Sequence, residues 1–216
     1  MSQPIFIQSI KAQLIQNLPG LAAQEKMFPF NRQNRSLPSA ETIEKAKKAA
    51  VCLLLYEKEA SWHFVLIKRT TYEGVHSGQM AFPGGRVEDE DGSMEVTALR
   101  ETEEEVGIDR KKIEVLGKLS PVYIPPSNTW VQPVVAYLSY VPTFKAQETE
   151  VAQIVEVPLL VLADPNIQKQ EMVMVAKGTS VKVPCFQIDQ HIVWGATAIM
   201  LSEWLMIFEQ VESENN

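Results

Sequence analysis

"FPGGRVEDEDGSMEVTALRETEEEVGI", residues 82–108, joins a Gly-Gly turn to a run of carboxylates, several of them three or four residues apart. Like charges at that spacing repel on a helix by about 0.2–0.5 kcal/mol per pair, so something must offset them. Val96, Leu99 and Val106 fall on one helical face with Ala98 and Thr102 beside it, while Glu101, Glu104 and Glu105 cluster on another. Ser93 is placed to cap the start, Glu95 sits where a negative charge suits the helix dipole, and Gly107 can close the end in a left-handed conformation. The spacing predicts a helix over 93–106. The carboxylates of Glu101, Glu104 and Glu105 would then converge at one spot, where an oxygen-rich set suits Mg²⁺ or Mn²⁺ and a cation removes their repulsion. A solvated acidic face is the plainer alternative.

On either side of this stretch the pattern is of short strands. Residues 49–56 and 62–68 are apolar runs too short for a helix and separated by "EKEAS", which predicts an antiparallel pair. Further strands are expected at 113–119, 130–141, 151–157, 171–176 and 181–187, with Pro133 marking an edge or a bend and the last two joined across "KGTS". Ile5, Ile7, Ile10 and Leu14 predict a short amphipathic helix stopped at Pro19 and Gly20, and residues 195–211 a second helix with a frayed tail beyond it. Residues 21–42 read as a long connection that could reach a partner subunit, which raises a homodimer as an expectation. Mixed strands with few helices place the chain in the α+β class.

The 216 residues suffice for one good core, and the net charge of −7 excludes a general binder of nucleic-acid polymers or of membrane surfaces, which needs a basic footprint. An acidic substrate therefore requires a local positive site or a bound cation. Cys52 and Cys185 lack metal-ligand spacing and lie beside apolar residues, so both are expected buried and reduced, as suits a cytoplasmic protein. Neither a basic start followed by an apolar run nor a stretch of about 18 apolar residues occurs, and the expectation is a soluble, unprocessed chain.

Gly85, a loop, and then Arg100-Glu101-Thr102-Glu103-Glu104-Glu105-Val106-Gly107-Ile108 resemble the Nudix box, in which Gly, five residues, Glu and seven residues precede Arg-Glu-U-x-Glu-Glu-x-Gly-U, with U apolar. The first half departs from that pattern: the loop is one residue longer, and Gly92 stands where Glu is expected, leaving Glu90 or Asp91 to cover its structural role. The resemblance implies a Nudix α/β/α sandwich with a mixed, partly antiparallel sheet, residues 1–47 forming an N-terminal helix and connecting segment and 48–212 the Nudix hydrolase domain. It implies Glu101, Glu104 and Glu105 as ligands of Mg²⁺ or Mn²⁺, with a backbone carbonyl near Gly85 as a further ligand. Arg100 would orient the glutamates, and Glu103 would face solvent.

"VLIKRTTYEGVHSGQMAFPGG", residues 65–85, is similar to the additional motif of the coenzyme A diphosphatase subgroup, matching it at Leu66, Arg69, His76, Gly78, Gln79 and Phe82 to Gly85. Gly74 departs, standing where the subgroup commonly has a basic residue. Residues 147–159 and 192–201 resemble the same subgroup. The implied reaction is hydrolysis of the diphosphate of coenzyme A or a derivative, giving 3′,5′-adenosine diphosphate and 4′-phosphopantetheine. Arg69, His76, Gly84 and Gly85 would meet substrate, Glu104 would act in catalysis, and Glu105 or Glu150 would be the base, with Glu148 as a competitor of Glu150. His76 could instead serve turn hydrogen bonding, and Trp194 and Thr197 are expected to pack and to cap a helix. The rivals are another Nudix specificity, toward ADP-ribose, dinucleotides or nucleoside triphosphates, and a non-catalytic nucleotide-binding domain, which typically lacks box carboxylates.

Overall fold

Apolar side chains follow one another almost without interruption over residues 49–56, as expected of a strand covered on both faces. The computed structural model describes residues 3–16, 18–29, 38–74, 76–176 and 179–215. In chain order the elements are α1 (Ile5–Leu14), α2 (Leu21–Gln24), α3 (Ala40–Lys45), β1 (Lys47–Lys58), β2 (Ser61–Arg69), β3 (Met80–Ala81), β4 (Gly84–Arg86), α4 (Met94–Val106), β5 (Glu114–Lys118), β6 (Val122–Ile124), β7 (Thr129–Leu138), β8 (Val151–Pro158), β9 (Gln168–Ala176), β10 (Thr179–Ile188), β11 (His191–Trp194) and α5 (Gly195–Asn215).

β1 lies at the centre of the main sheet, antiparallel to β2 and β4 and parallel to β7. The sheet is therefore mixed, with β3 and β8 beside β2 and β5 and β6 beside β7. Side-chain alternation along β1 builds two cores. Cys52, Leu54 and Tyr56 join Ala98 and Val106 of α4 on one face, whereas Leu53 and Leu55 join Ile7, Ile10, Trp204 and Phe208 of α1 and α5 on the other. The result is the expected α/β/α sandwich. β9, β10 and β11 form a second, antiparallel sheet. Both cysteines are buried and free.

Several local expectations need correcting. The β1–β2 turn is only Glu59-Ala60, both at positive φ (52° and 56°), the signature of a tight type I′ hairpin. Pro133 marks neither an edge nor a break: it lies where the partner of β7 changes from β6 to β5, so its missing N–H leaves no ladder bond unmade. Ile5 is exposed while Ile7, Ile10 and Leu14 are buried, because residues two apart point to opposite sides of a helix. The last helix runs on to Asn215. β3, β4, β6 and β11, of two to four residues, are too short to show a period. Residues 30–37 of the expected connection and 177–178 of the expected hairpin turn lie outside the described residues.

Candidate active site

The helix α4 begins and ends as its sequence dictates: Ser93 Oγ accepts from Val96 N–H (3.3 Å), and Gly107 is left-handed at φ 74°. Its buried face differs from expectation. Val96 is exposed, and Ala98, Thr102, Glu105 and Val106 face the sheet, so a carboxylate sits on the inner face with 1% of its surface exposed. Thr102 tolerates this position because its hydroxyl donates to the Ala98 carbonyl (2.7 Å).

Glu105 meets the Gly-Gly turn. Gly84 N–H donates to its Oε2 (2.8 Å), while its Oε1 has no hydrogen-bond partner and lies 3.7 Å from the Arg69 guanidinium. Burial pushes this carboxyl up to about 7, against the pull of the Gly84 amide and Arg69, and the neighbouring Glu101 and Glu150 charges push the same way. The turn needs its glycines. A Cβ on Gly84, at φ 156°, would lie 2.6 Å from Val51 Cα, and one on Gly85 would run into the Glu101 carboxylate.

Arg100 organises the outer side. Its guanidinium donates to Asp91 (2.9 and 2.8 Å), Glu101 (3.0 Å), Glu104 (3.0 Å) and the Arg86 carbonyl (3.0 Å). Asp91 also accepts from Thr97 Oγ1 (2.9 Å) and Glu88 N–H (3.0 Å), and its bond to Arg100 holds its carboxyl far below the usual range. Of the two residues weighed for the missing glutamate of the box, Asp91 takes the place and Glu90 is exposed. Gly92 has open space around it. Burial raises the Glu101 carboxyl against the pull of Arg100, with Glu104 and Glu150 adding repulsion.

Among the described residues no three His, Cys, Asp or Glu side chains are drawn together as a metal-holding group, Glu101 and Glu104 being joined through Arg100. The donor set nevertheless suits a hard divalent cation: Glu105 Oε1 is a buried acceptor with nothing to accept, and Glu101, Glu105 and Glu150 repel one another. Glu103 lies on the outer side, paired with Arg110 (3.4 Å).

A cavity of about 1200 Å³ opens beside this cluster. Arg69, His76, Gly84 and Gly85 all line it, so the four expected substrate contacts come together. The segment between Arg69 and Gln79 closes on itself, Arg69 N–H donating to the Gln79 carbonyl (3.0 Å) and Gly78 N–H to that of Thr70 (3.2 Å). His76 holds a strained φ of 71° there and its Nδ1 lies 3.2 Å from Gln79 Oε1, so it serves the turn and faces the cavity at once. Glu150 is exposed in the turn before β8, its carbonyl accepting from Thr70 N–H (2.9 Å). Trp194 lines the cavity, and Thr197 does not cap a helix: its hydroxyl donates to the Met80 carbonyl (3.0 Å) and ties α5 to β3.

Some cavity residues were not singled out from sequence. Arg86 follows Gly85 directly, a signal that adjacency alone could have supplied. Met174, Val181 and Val183, from the second sheet, and Tyr123 and Ser127, between β6 and β7, carry no such signal.

The NUDIX domain family matches residues 46–175. An uncharacterized Nudix hydrolase NudL of Photorhabdus laumondii is 35% identical over 140 residues, covering 64% of this chain and 73% of the relative. Its namesake in Escherichia coli O1:K1 is 36% identical over 139 residues, covering 64% and 71%. A Nudix hydrolase from M. smegmatis, RenU, superposes with a TM-score of 0.52 at 16% identity over 78% of this chain and 87% of that one, a likeness of fold. Among the described residues no helix is long and apolar enough to cross a membrane.

Proposed function

This chain belongs to the Nudix hydrolase family, and on that premise we propose that it hydrolyses the diphosphate bond of coenzyme A or its derivatives, giving 3′,5′-adenosine diphosphate and 4′-phosphopantetheine. One observation carries the reading. The segment that resembles the coenzyme A diphosphatase motif folds back through the Arg69 and Gln79 backbones, and it brings Arg69 within 3.7 Å of the buried Glu105 while Arg69 and His76 face the same cavity.

Glu101, Glu104 and Glu105, with the Gly85 carbonyl, would hold Mg²⁺ or Mn²⁺. When bound, the cation supplies neutralisation of the phosphate oxygens and a more acidic water. This chain's residues do the rest. Arg69 binds a phosphate oxygen, and its contact with Glu105 keeps it aimed at the cluster. Gly84 N–H fixes Glu105, and Arg100 fixes Glu101 and Glu104. Water attacks one phosphorus, the bond from that phosphorus to the bridging oxygen breaks, and the proton of the water passes to a carboxylate. Glu105 has one oxygen occupied by the Gly84 amide and the other committed to ligation, which leaves Glu150 as the acceptor of that proton.

A second reading, hydrolysis of another nucleoside diphosphate derivative such as ADP-ribose, a dinucleotide or a nucleoside triphosphate, draws on Gly74. A Cβ there would lie 3.0 Å from the Tyr72 ring, so the basic side chain of the resembled motif has no room. Product analysis separates the two. Release of 3′,5′-adenosine diphosphate from coenzyme A in Mg²⁺ or Mn²⁺, and not in chelator, supports the first; cleavage of ADP-ribose or a dinucleotide with coenzyme A untouched selects the second.

A further inference from the structure

Glu203, on α5, has none of its surface exposed, and among the described residues every group that donates to it is neutral. Its Oε1 accepts from the backbone amides of Gly20 (3.0 Å) and Ser120 (3.2 Å), and its Oε2 from Ser120 N–H (3.2 Å) and Gln24 Nε2 (3.0 Å). Gln24 Nε2 also reaches the Ser120 carbonyl (3.2 Å), and Ser202 Oγ donates to that of Ala23 (2.8 Å). A carboxylate buried without a cation is costly, and these bonds offset that cost only if all of them are kept. Gly20 fits the arrangement closely: it holds φ 53°, and a Cβ there would meet Ser120 Oγ at 3.3 Å.

Three chain segments meet at this carboxylate, and each continues into a wall of the cavity. Ile199 and Met200 line it one turn before Glu203 on α5, Val122 and Tyr123 just after Ser120, and Pro29 at the end of the segment that starts at Gly20. Residues 20–29 lie outside the family match, which begins at residue 46. We infer that Glu203 is a positioning residue for the substrate cavity: it fastens residues 20–29 and β6 against α5, and so fixes the walls that hold the part of the substrate beyond the diphosphate. This rests on the reading that the cavity takes a diphosphate substrate.

The test compares E203Q and Q24L with the wild-type full chain. In E203Q the new NH₂ faces a donor whichever way it turns; Q24L cuts the same network from the N-terminal side, and it carries the test if E203Q does not fold. Steady-state kinetics are measured on coenzyme A and ADP-ribose, and amide exchange is followed over residues 20–29, 119–128 and α4. The expected result is a KM raised about fivefold or more with kcat within about twofold, since only ground-state positioning is lost, and faster exchange in the first two segments alone. An unchanged KM despite faster exchange overturns the inference, as does a kcat that falls with the folded fraction at constant KM, the mark of a purely structural role. Unchanged exchange in both segments overturns it too. Wild-type turnover of ADP-ribose but not of coenzyme A removes only the coenzyme A reading, and the KM comparison is then made on ADP-ribose.

Discussion

Asp91 shows how one side chain can stand in for another supplied from a different place. The box pattern asks for a glutamate at the position of Gly92, and the carboxylate that meets Arg100 comes instead from the residue before it. Asp91 and Arg100 expose only 3% and 13% of their side chains, so Asp91→Ala should cost about 3 kcal/mol, the low end for a broken buried pair because Arg100 keeps Glu101 and Glu104. Chemical denaturation of the variant measures this. The same pair sets an acid limit. The folded carboxyl titrates far below its unfolded value of about 3.9, so its contribution is complete above that value and is lost as pH falls through the lower, folded one. Wild-type stability should therefore fall below about pH 4 more steeply than that of Asp91→Ala, and parallel acid-unfolding curves would count against the pair. Glu104 offers the opposite case. It is 55% exposed and pairs only with Arg100, so Glu104→Gln should lower kcat by about 10²-fold or more, on the scale of losing one transition-state electrostatic contact, with the melting temperature almost unchanged. Near wild-type turnover would remove it from the metal set.

Among the elements, α4 and the glycine turn were the most legible, because cap, dipole charge and left-handed stop all agree on one helix. Which face of α4 goes inward was not legible. An apolar tally favours Val96 and Leu99, whereas the helix turns Glu105 toward the sheet because the Gly84 amide is waiting for it there. That contact spans 21 residues and leaves no periodic trace. The turn itself gives a sharp expectation. Gly84→Ala would press a methyl into the backbone of β1 at a φ that alanine rarely adopts, so a loss of at least about 1–3 kcal/mol is expected together with activity. Gly85→Ala would displace the Glu101 carboxylate instead, so activity should fall while the melting temperature stays closer to wild type. Comparing the two melting curves checks the assignment. Strands such as β3 and β6 escaped sequence reading for a simpler reason: two or three residues cannot show an alternation.

At the level of the whole molecule, a mixed sheet between two helical layers follows from β1, whose alternate residues serve two separate cores. The box resemblance reached this architecture; the composition reached only the α+β class. An acidic chain can handle an acidic substrate because its carboxylates are gathered at one place, with Arg69 facing them and Arg100 binding them together. The second sheet, the β6–β7 loop and residues 20–29 complete the cavity from positions that no local motif marks, which is why specificity was harder to read than chemistry. The most direct measurement is product analysis of the purified chain with coenzyme A, ADP-ribose, diadenosine polyphosphates and nucleoside triphosphates, each with Mg²⁺, Mn²⁺ or chelator. Metal-dependent release of 3′,5′-adenosine diphosphate and 4′-phosphopantetheine from coenzyme A, abolished by chelator, is the expected result; coenzyme A left intact while another diphosphate is cleaved would contradict it.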